Sequence, residues 1–300
     1  MGEIVTSGVA IARARTRGRA NAAQAAGRRA AGARGVGGLA APLAAVLLLF
    51  FLLPPLALAL RWAGFGLPTL AAVSSRAVLS ATGLSLATSA LAMLIVVVLG
   101  TALAYVLAYA EFPLKRLLTV FVELPIVMPP AVAGLALLAA FGRQGLLGGL
   151  LLRAGVRVSF TPLAVVLAQV FVAAPYYIRA VQSRFSAVPR ELRDAADIDG
   201  AGRWRTFSGV TLPLSRRALL SALTLTWARA LGEFGATILV AGSLPGKTQT
   251  MTLLVYAALE RDLHASFTVA MLLLAMAGLA LGLVRFLARL DRSDDPLAAL

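Results

Sequence analysis

Cysteine is missing altogether, and histidine occurs once, at His264, among 300 residues. The first absence excludes disulfides, thiol catalysis and thiolate metal sites, and the second excludes a histidine-rich metal cluster. His264 falls in a predicted loop, where a polar residue is expected to be a surface group. Charge is scarce too: 14% of residues are Asp, Glu, Lys or Arg, against 60% hydrophobic. A soluble domain of this length needs more polar surface, so the chain reads as an all-α, polytopic membrane protein. Acids are the scarcest charge, 13 against 28 Lys and Arg, for a formal charge of +15. The basic residues lie between apolar runs, so lipid head groups and topology account for them better than nucleic acid does. No stretch alternates with period two for long enough to build a membrane barrel.

Six apolar runs are long enough to cross a bilayer, which takes about 20 helical residues. They cover 41–60 (interrupted by Pro54 and Pro55), 79–110, 117–141, 162–182, 218–240 and 266–287. Before them, residues 1–40 are rich in Arg, Ala and Gly with Glu3 as their one acid, and read as a disordered tail. After them, residues 291–300 form a short second tail. With the N-terminus inside, 19 Lys and Arg fall on the cytoplasmic side and 7 outside, while Arg179 and Arg229 lie within spans. That asymmetry places both termini and the loop near 186–217 in the cytoplasm.

The 186–217 loop is polar but patterned. Pro189 suits a first helical position, and Glu191 suits the first turn, where the helix dipole favours an acid. Leu192, Ala195 and Ala196 then share one face, with Arg193, Asp194 and Asp197 largely on the other. Gly200 and Gly202 are placed to end that helix and reverse the chain. Trp204 and Phe207 follow three apart, beside Arg203 and Arg205, and Leu212-Pro213 is expected to restart a helix into the fifth span. An alanine face with adjacent aromatics and arginines suits docking of a cytoplasmic partner. It equally suits an interfacial helix on lipid. The residue types leave these two readings level.

Spacing adds a resemblance. Asp194-Ala195-Ala196, three residues, Gly200, nine residues and Val210-Thr211-Leu212-Pro213 resemble the EAA loop of ABC-importer permeases, with Asp for Glu and Val for Ile. The resemblance implies that Asp194, Ala195, Ala196, Gly200, Trp204, Phe207, Leu212 and Pro213 belong to a coupling helix seated on an ATP-hydrolysing subunit. No GxxxxGKS or GxxxxGKT phosphate loop occurs, so ATP and Mg are expected on that separate subunit and the chain is expected to be no enzyme. The stretch ARALGEFGATILVAGSLPGKTQT is similar to molybdate permeases, and ELPIVMPPAVAGLALL is similar in kind; sulfate/thiosulfate permeases are close relatives. The similarity covers about residues 76–290 and implies six spans of type I importer architecture. It further implies two ATPase subunits, an extracytoplasmic oxyanion-binding protein docking on outer loops that include 242–264, and a second copy of the chain in the cytoplasmic (inner) membrane. An ion-driven secondary transporter would be expected to show duplicated spans and midplane ligands, and no repeat of 194–213 is visible.

Charges and prolines within the spans mark the candidate pathway. Arg229 and Glu233 lie four apart on one helical face and can pair. Gly232, Gly235, Ala236 and Gly242 beside them make a smooth surface for close helix packing. In the third span Glu123, Pro125, Pro129 and Pro130 suggest a kink that serves as a gate, or one kept for packing.

Overall fold

The computed structural model describes residues 40–64 and 75–293. Most of the Arg-rich tail, and the C-terminal tail beyond residue 293, lie outside the described residues. Every regular element among the described residues is helical. Two compact units divide at Arg61/Trp62. The first ends in helix α1, Ala40–Gly64. Pro54 and Pro55, read above as an interruption, lie inside α1. A membrane helix tolerates proline where local adjustments re-satisfy the freed carbonyls.

In the second unit, α2 (Arg76–Tyr109) opens at Ser75, whose hydroxyl accepts a hydrogen bond from the Val78 N–H at 3.4 Å. Its 34 residues extend about 51 Å at 1.5 Å per residue, well beyond a hydrocarbon core of about 30 Å. Helix α6 (Pro162–Ser186) is a second long span of this unit. Hydrogen bonds join α2 and α6 at a nearly constant offset: Thr101 to Tyr177, Leu107 to Gln182, and Tyr109 to Phe185. A constant offset of 75 or 76 residues means that the two helices run parallel. They pack closely at Gly100, where a Cβ would stand 3.2 Å from Tyr177 Cδ1.

The third expected span is two helices, α3 (Lys115–Val127) and α4 (Pro130–Phe141), separated at Met128-Pro129. Pro125 is accommodated inside α3, whereas Pro130 opens α4 at a position needing no N–H donor. A short helix, α5 (Gly148–Arg153), follows. The fifth span is likewise divided, into α9 (Leu212–Leu231) and α10 (Gly235–Ala241). The segment between the fifth and sixth spans, read as an outer loop, contains helix α11 (Met251–Leu259). Its first turn is held to α2 by the Met251 N–H, which donates to Ser85 Oγ at 2.8 Å. Helix α12 (Leu263–Ser293) closes the fold. His264 therefore stands in the first turn of a helix, not in a loop, and is exposed.

Three buried clusters hold these helices. One joins α4, α10 and the N-terminal half of α6 through Leu137, Val165, Val172 and Val240. A second joins α2 to the C-terminal half of α6 and to α9 through Val96, Leu107, Tyr177 and Phe185. The third sets α11 and α12 on the start of α2. Polar clasps supplement the apolar contacts: the indole N–H of Trp227 on α9 donates to Ser89 Oγ on α2 at 3.0 Å. Such a bond satisfies both groups where water is absent.

Candidate functional site

Past the C-terminus of α6 the chain forms α7 (Arg190–Ile198) and α8 (Arg203–Thr206). Pro189 is the N-cap of α7, one position earlier than expected, because its extended backbone (ψ 134°) is not helical. The end of α7 is a Schellman turn: the Ala201 N–H reaches the Ala196 carbonyl at 2.9 Å, and the Gly200 N–H reaches Asp197 at 3.1 Å. Gly200 sits at φ +77°, a conformation that disfavours any side chain with a Cβ. Thr206 locks the reversed chain by donating to Asp197 Oδ1 at 3.3 Å.

An α-helix begins at Leu212-Pro213 as expected, but with no break before it. The chain continues from α8 through a π turn, Phe207–Thr211, directly into α9. The physical reason lies in Pro213, which has no N–H and whose ring crowds the carbonyl four residues earlier. A widened turn, in which the Leu212 N–H reaches back to Phe207, accommodates that ring without breaking the helix.

Two faces of this segment differ sharply. Inward, the Arg193 guanidinium lies 4.2 Å over the Tyr109 ring, and the Tyr109 hydroxyl donates to the Phe185 carbonyl at 2.7 Å. Phe207 meets Tyr105 and Phe185 edge to face, with ring centroids 5.3 and 6.0 Å away. Outward, Trp204 is 74% exposed, Ile198 85% and Leu192 46%. Asp194 and Ala195 are exposed as well, and Ala196 is half-buried. The eight residues singled out from the sequence thus divide. Phe207 belongs to the inward packing and Leu212 is half-buried, whereas Asp194, Ala195, Gly200, Trp204 and Pro213 are open to a partner. Ile198, Tyr109 and Thr206 were not singled out. The sequence signal for Ile198 was its place three residues beyond Ala195.

The second constellation lies where the divided spans meet. Gly235 at the start of α10 packs on Pro130 at the start of α4, so that a Cβ there would collide with the proline ring. One turn on, a Cβ at Gly134 would stand 2.8 Å from Leu239 Cβ. Arg229 and Glu233 pair at 2.9 Å. Glu233 does more than pair, because its Oε1 accepts the Ala236 N–H at 2.8 Å and so caps α10 across the break. Glu123 on α3 is bound to Arg179 on α6 at 2.6 Å. Pro125 is buried and Pro129 exposed. The structure therefore brings Pro130, Arg229, Glu233 and Gly235 together, and places Glu123 in a separate ion pair.

The family described as binding-protein-dependent transport system inner membrane components matches residues 97–293. The molybdenum transport system permease protein ModB of Mycobacterium tuberculosis is 37% identical over 234 residues, covering 77% of this chain and 87% of that one. The sulfate transport system permease protein CysW of Synechococcus elongatus is 40% identical over 175 residues, 58% of this chain and 61% of that one. Among solved structures, a bacterial alginate ABC transporter complexed with an alginate pentasaccharide-bound periplasmic protein shares the fold. Its TM-score is 0.69 at 15% identity, over 85% of this chain and 93% of that one. The chain belongs to the binding-protein-dependent inner membrane components, the permease subunits of ABC importers, and is a ModB/CysW-type permease and not an enzyme in its own right.

Proposed function

We propose that the chain is the membrane-spanning subunit of an ATP-driven importer for molybdate, with tungstate as a second cargo. It gates the pathway through the segment 186–217. The observation that carries the coupling role is the outward face of Leu192, Ile198 and Trp204, exposed apolar groups on a segment whose inward face is fixed by cation–π, aromatic and hydrogen-bonded contacts. Large exposed aromatic and aliphatic anchors on a rigid base suit a protein partner.

In this reading the segment lies in the cytoplasm with both termini, as the 19-to-7 distribution of Lys and Arg favours. Two ATPase subunits carry ATP and Mg, each seating the coupling segment of one copy in a homodimer embedded in membrane lipid. A loaded oxyanion-binding protein docks on the opposite side, where 242–264 lies. Closure of the ATPases drives the segment. Phe207 and Arg193 then transmit the displacement to α2 and α6, and the unbroken helix from Arg203 to Leu231 carries it to the break at 232–234. The length of the match to ModB supports molybdate. Its identity to CysW keeps sulfate or thiosulfate as the second reading. Uptake by cells expressing the transporter, with labelled molybdate in competition against tungstate and sulfate, decides between them. Molybdate specificity requires tungstate to compete and sulfate to fail; effective competition by sulfate at equal concentration overturns it.

A further inference from the structure

The two divided spans line an open groove of about 510 Å³, whose walls include Pro130, Ala131, Gly232, Gly235, Arg229 and Glu233. Its walls are otherwise short or apolar, and its two charges are held very differently. The Glu233 side chain is 2% exposed, and both its oxygens are committed, Oε2 to Arg229 and Oε1 to the Ala236 N–H. The Arg229 side chain is 32% exposed, and its ion pair engages Nη1. A guanidinium carries five donors in a planar fork, so among the described residues its one ion pair uses only part of its hydrogen-bonding capacity. Both oxygens of the acid are engaged and buried, while the base is partly accessible.

A guanidinium inside a membrane-spanning segment is costly unless it serves a partner or an aqueous path. Neutralising Glu233 does not require leaving a third of the arginine open to a groove. We infer that Arg229 is a direct ligand for a tetrahedral oxyanion dianion in transit, its fork bonding two oxygens of the anion at the point where α4 and α10 begin. This rests on the oxyanion-import reading. Glu233 is the positioning residue: it fixes the guanidinium and caps α10, and its charge keeps the site close to neutral. A transit site must attract an ion without retaining it, which a tempered cation does.

The absence of cysteine allows a direct test. Ala131→Cys places a single thiol on the groove wall of the full-length chain, purified with its ATPase subunit and reconstituted. A sulfonate-bearing thiol reagent should modify it, and molybdate should slow that modification. In A131C/R229Q the protection by molybdate should fall about tenfold or more, the loss expected for charge-assisted bonds. In A131C/R229K it should weaken but persist, since a point charge replaces the fork. Equal protection with Gln and with Arg overturns the site. Should the Gln protein fail to insert, protection in the Lys protein equal to that with Arg overturns it. In parallel, labelled molybdate uptake should stay low in R229Q/E233Q; recovery to within about twofold of the unsubstituted chain overturns the ligand role, because removal of a merely structural pair is commonly neutral. If the unsubstituted chain imports no molybdate, tungstate or sulfate, the transport reading fails, whereas thiol protection still reports the site by itself.

Discussion

Gly200 fixes the reversal between α7 and α8 through its backbone and not through close packing, since a Cβ there would meet nothing within 4 Å. At φ +77° a valine costs on the order of 1–2 kcal/mol, more for its β-branch, whereas asparagine tolerates that region. Gly200→Val should therefore insert normally yet lose about tenfold or more of its uptake, and Gly200→Asn should retain most of it. Uptake and membrane content measured together check this. Arg229 and Glu233 offer a second residue-scale test by exchange. The swapped pair can still attract, but arginine at 233 has no acceptor for the Ala236 N–H. Transport should stay impaired, and full recovery in an uptake assay would reduce the pair to a simple charge balance.

At the scale of elements, the parallel pair α2 and α6 is the frame against which the segment 186–217 is set. Gly100→Leu drives a branched side chain into Tyr177 and Ile178, where even a Cβ is within 3.3 Å of both. Overpacking of this kind costs about 1–3 kcal/mol, to be read as a lowered melting temperature of the purified protein. Phe207→Ala should leave Leu192 and Ile198 in place but loosen the tie to Tyr105 and Phe185, and it removes the ring that Trp204 meets at 5.6 Å. We expect the variant to copurify with its ATPase while stimulated hydrolysis falls.

The helices were legible because run length and composition decide what crosses a bilayer. The polar reversal at 194–206 was legible because glycine and alternating charge mark it. The division at 128–129 was legible as the kink marked by Pro129 and Pro130, whereas the one at 232–234 was not: Gly232 and Gly235 read as packing residues, and the capping bond from the Ala236 N–H to Glu233 has no mark in composition. The unbroken passage through Leu212-Pro213 was missed for a related reason: proline announces a helix start in isolation, and a π turn that absorbs it has no compositional mark. The pairing of Glu123 with Arg179 lay beyond reach because 56 residues separate them.

For the whole molecule, family membership makes the chain a permease, and its partners supply energy and cargo. The face of Leu192, Ile198 and Trp204 is where the energy is proposed to enter, and the groove at Arg229 is where the cargo is proposed to pass. These two regions are linked by one continuous helical path from Arg203 to Leu231, so a disturbance at the first should be felt at the second. The most direct measurement is ATP hydrolysis by the cognate ATPase reconstituted with this chain and a molybdate-loaded binding protein, comparing the unsubstituted chain with Ile198→Ala/Trp204→Ala. The unsubstituted chain should stimulate hydrolysis, and the double variant should need about 30-fold more ATPase for the same stimulation, as expected when interface anchors together worth about 2 kcal/mol are removed. Equal stimulation by both proteins, or none by either, would contradict a coupling role for this segment.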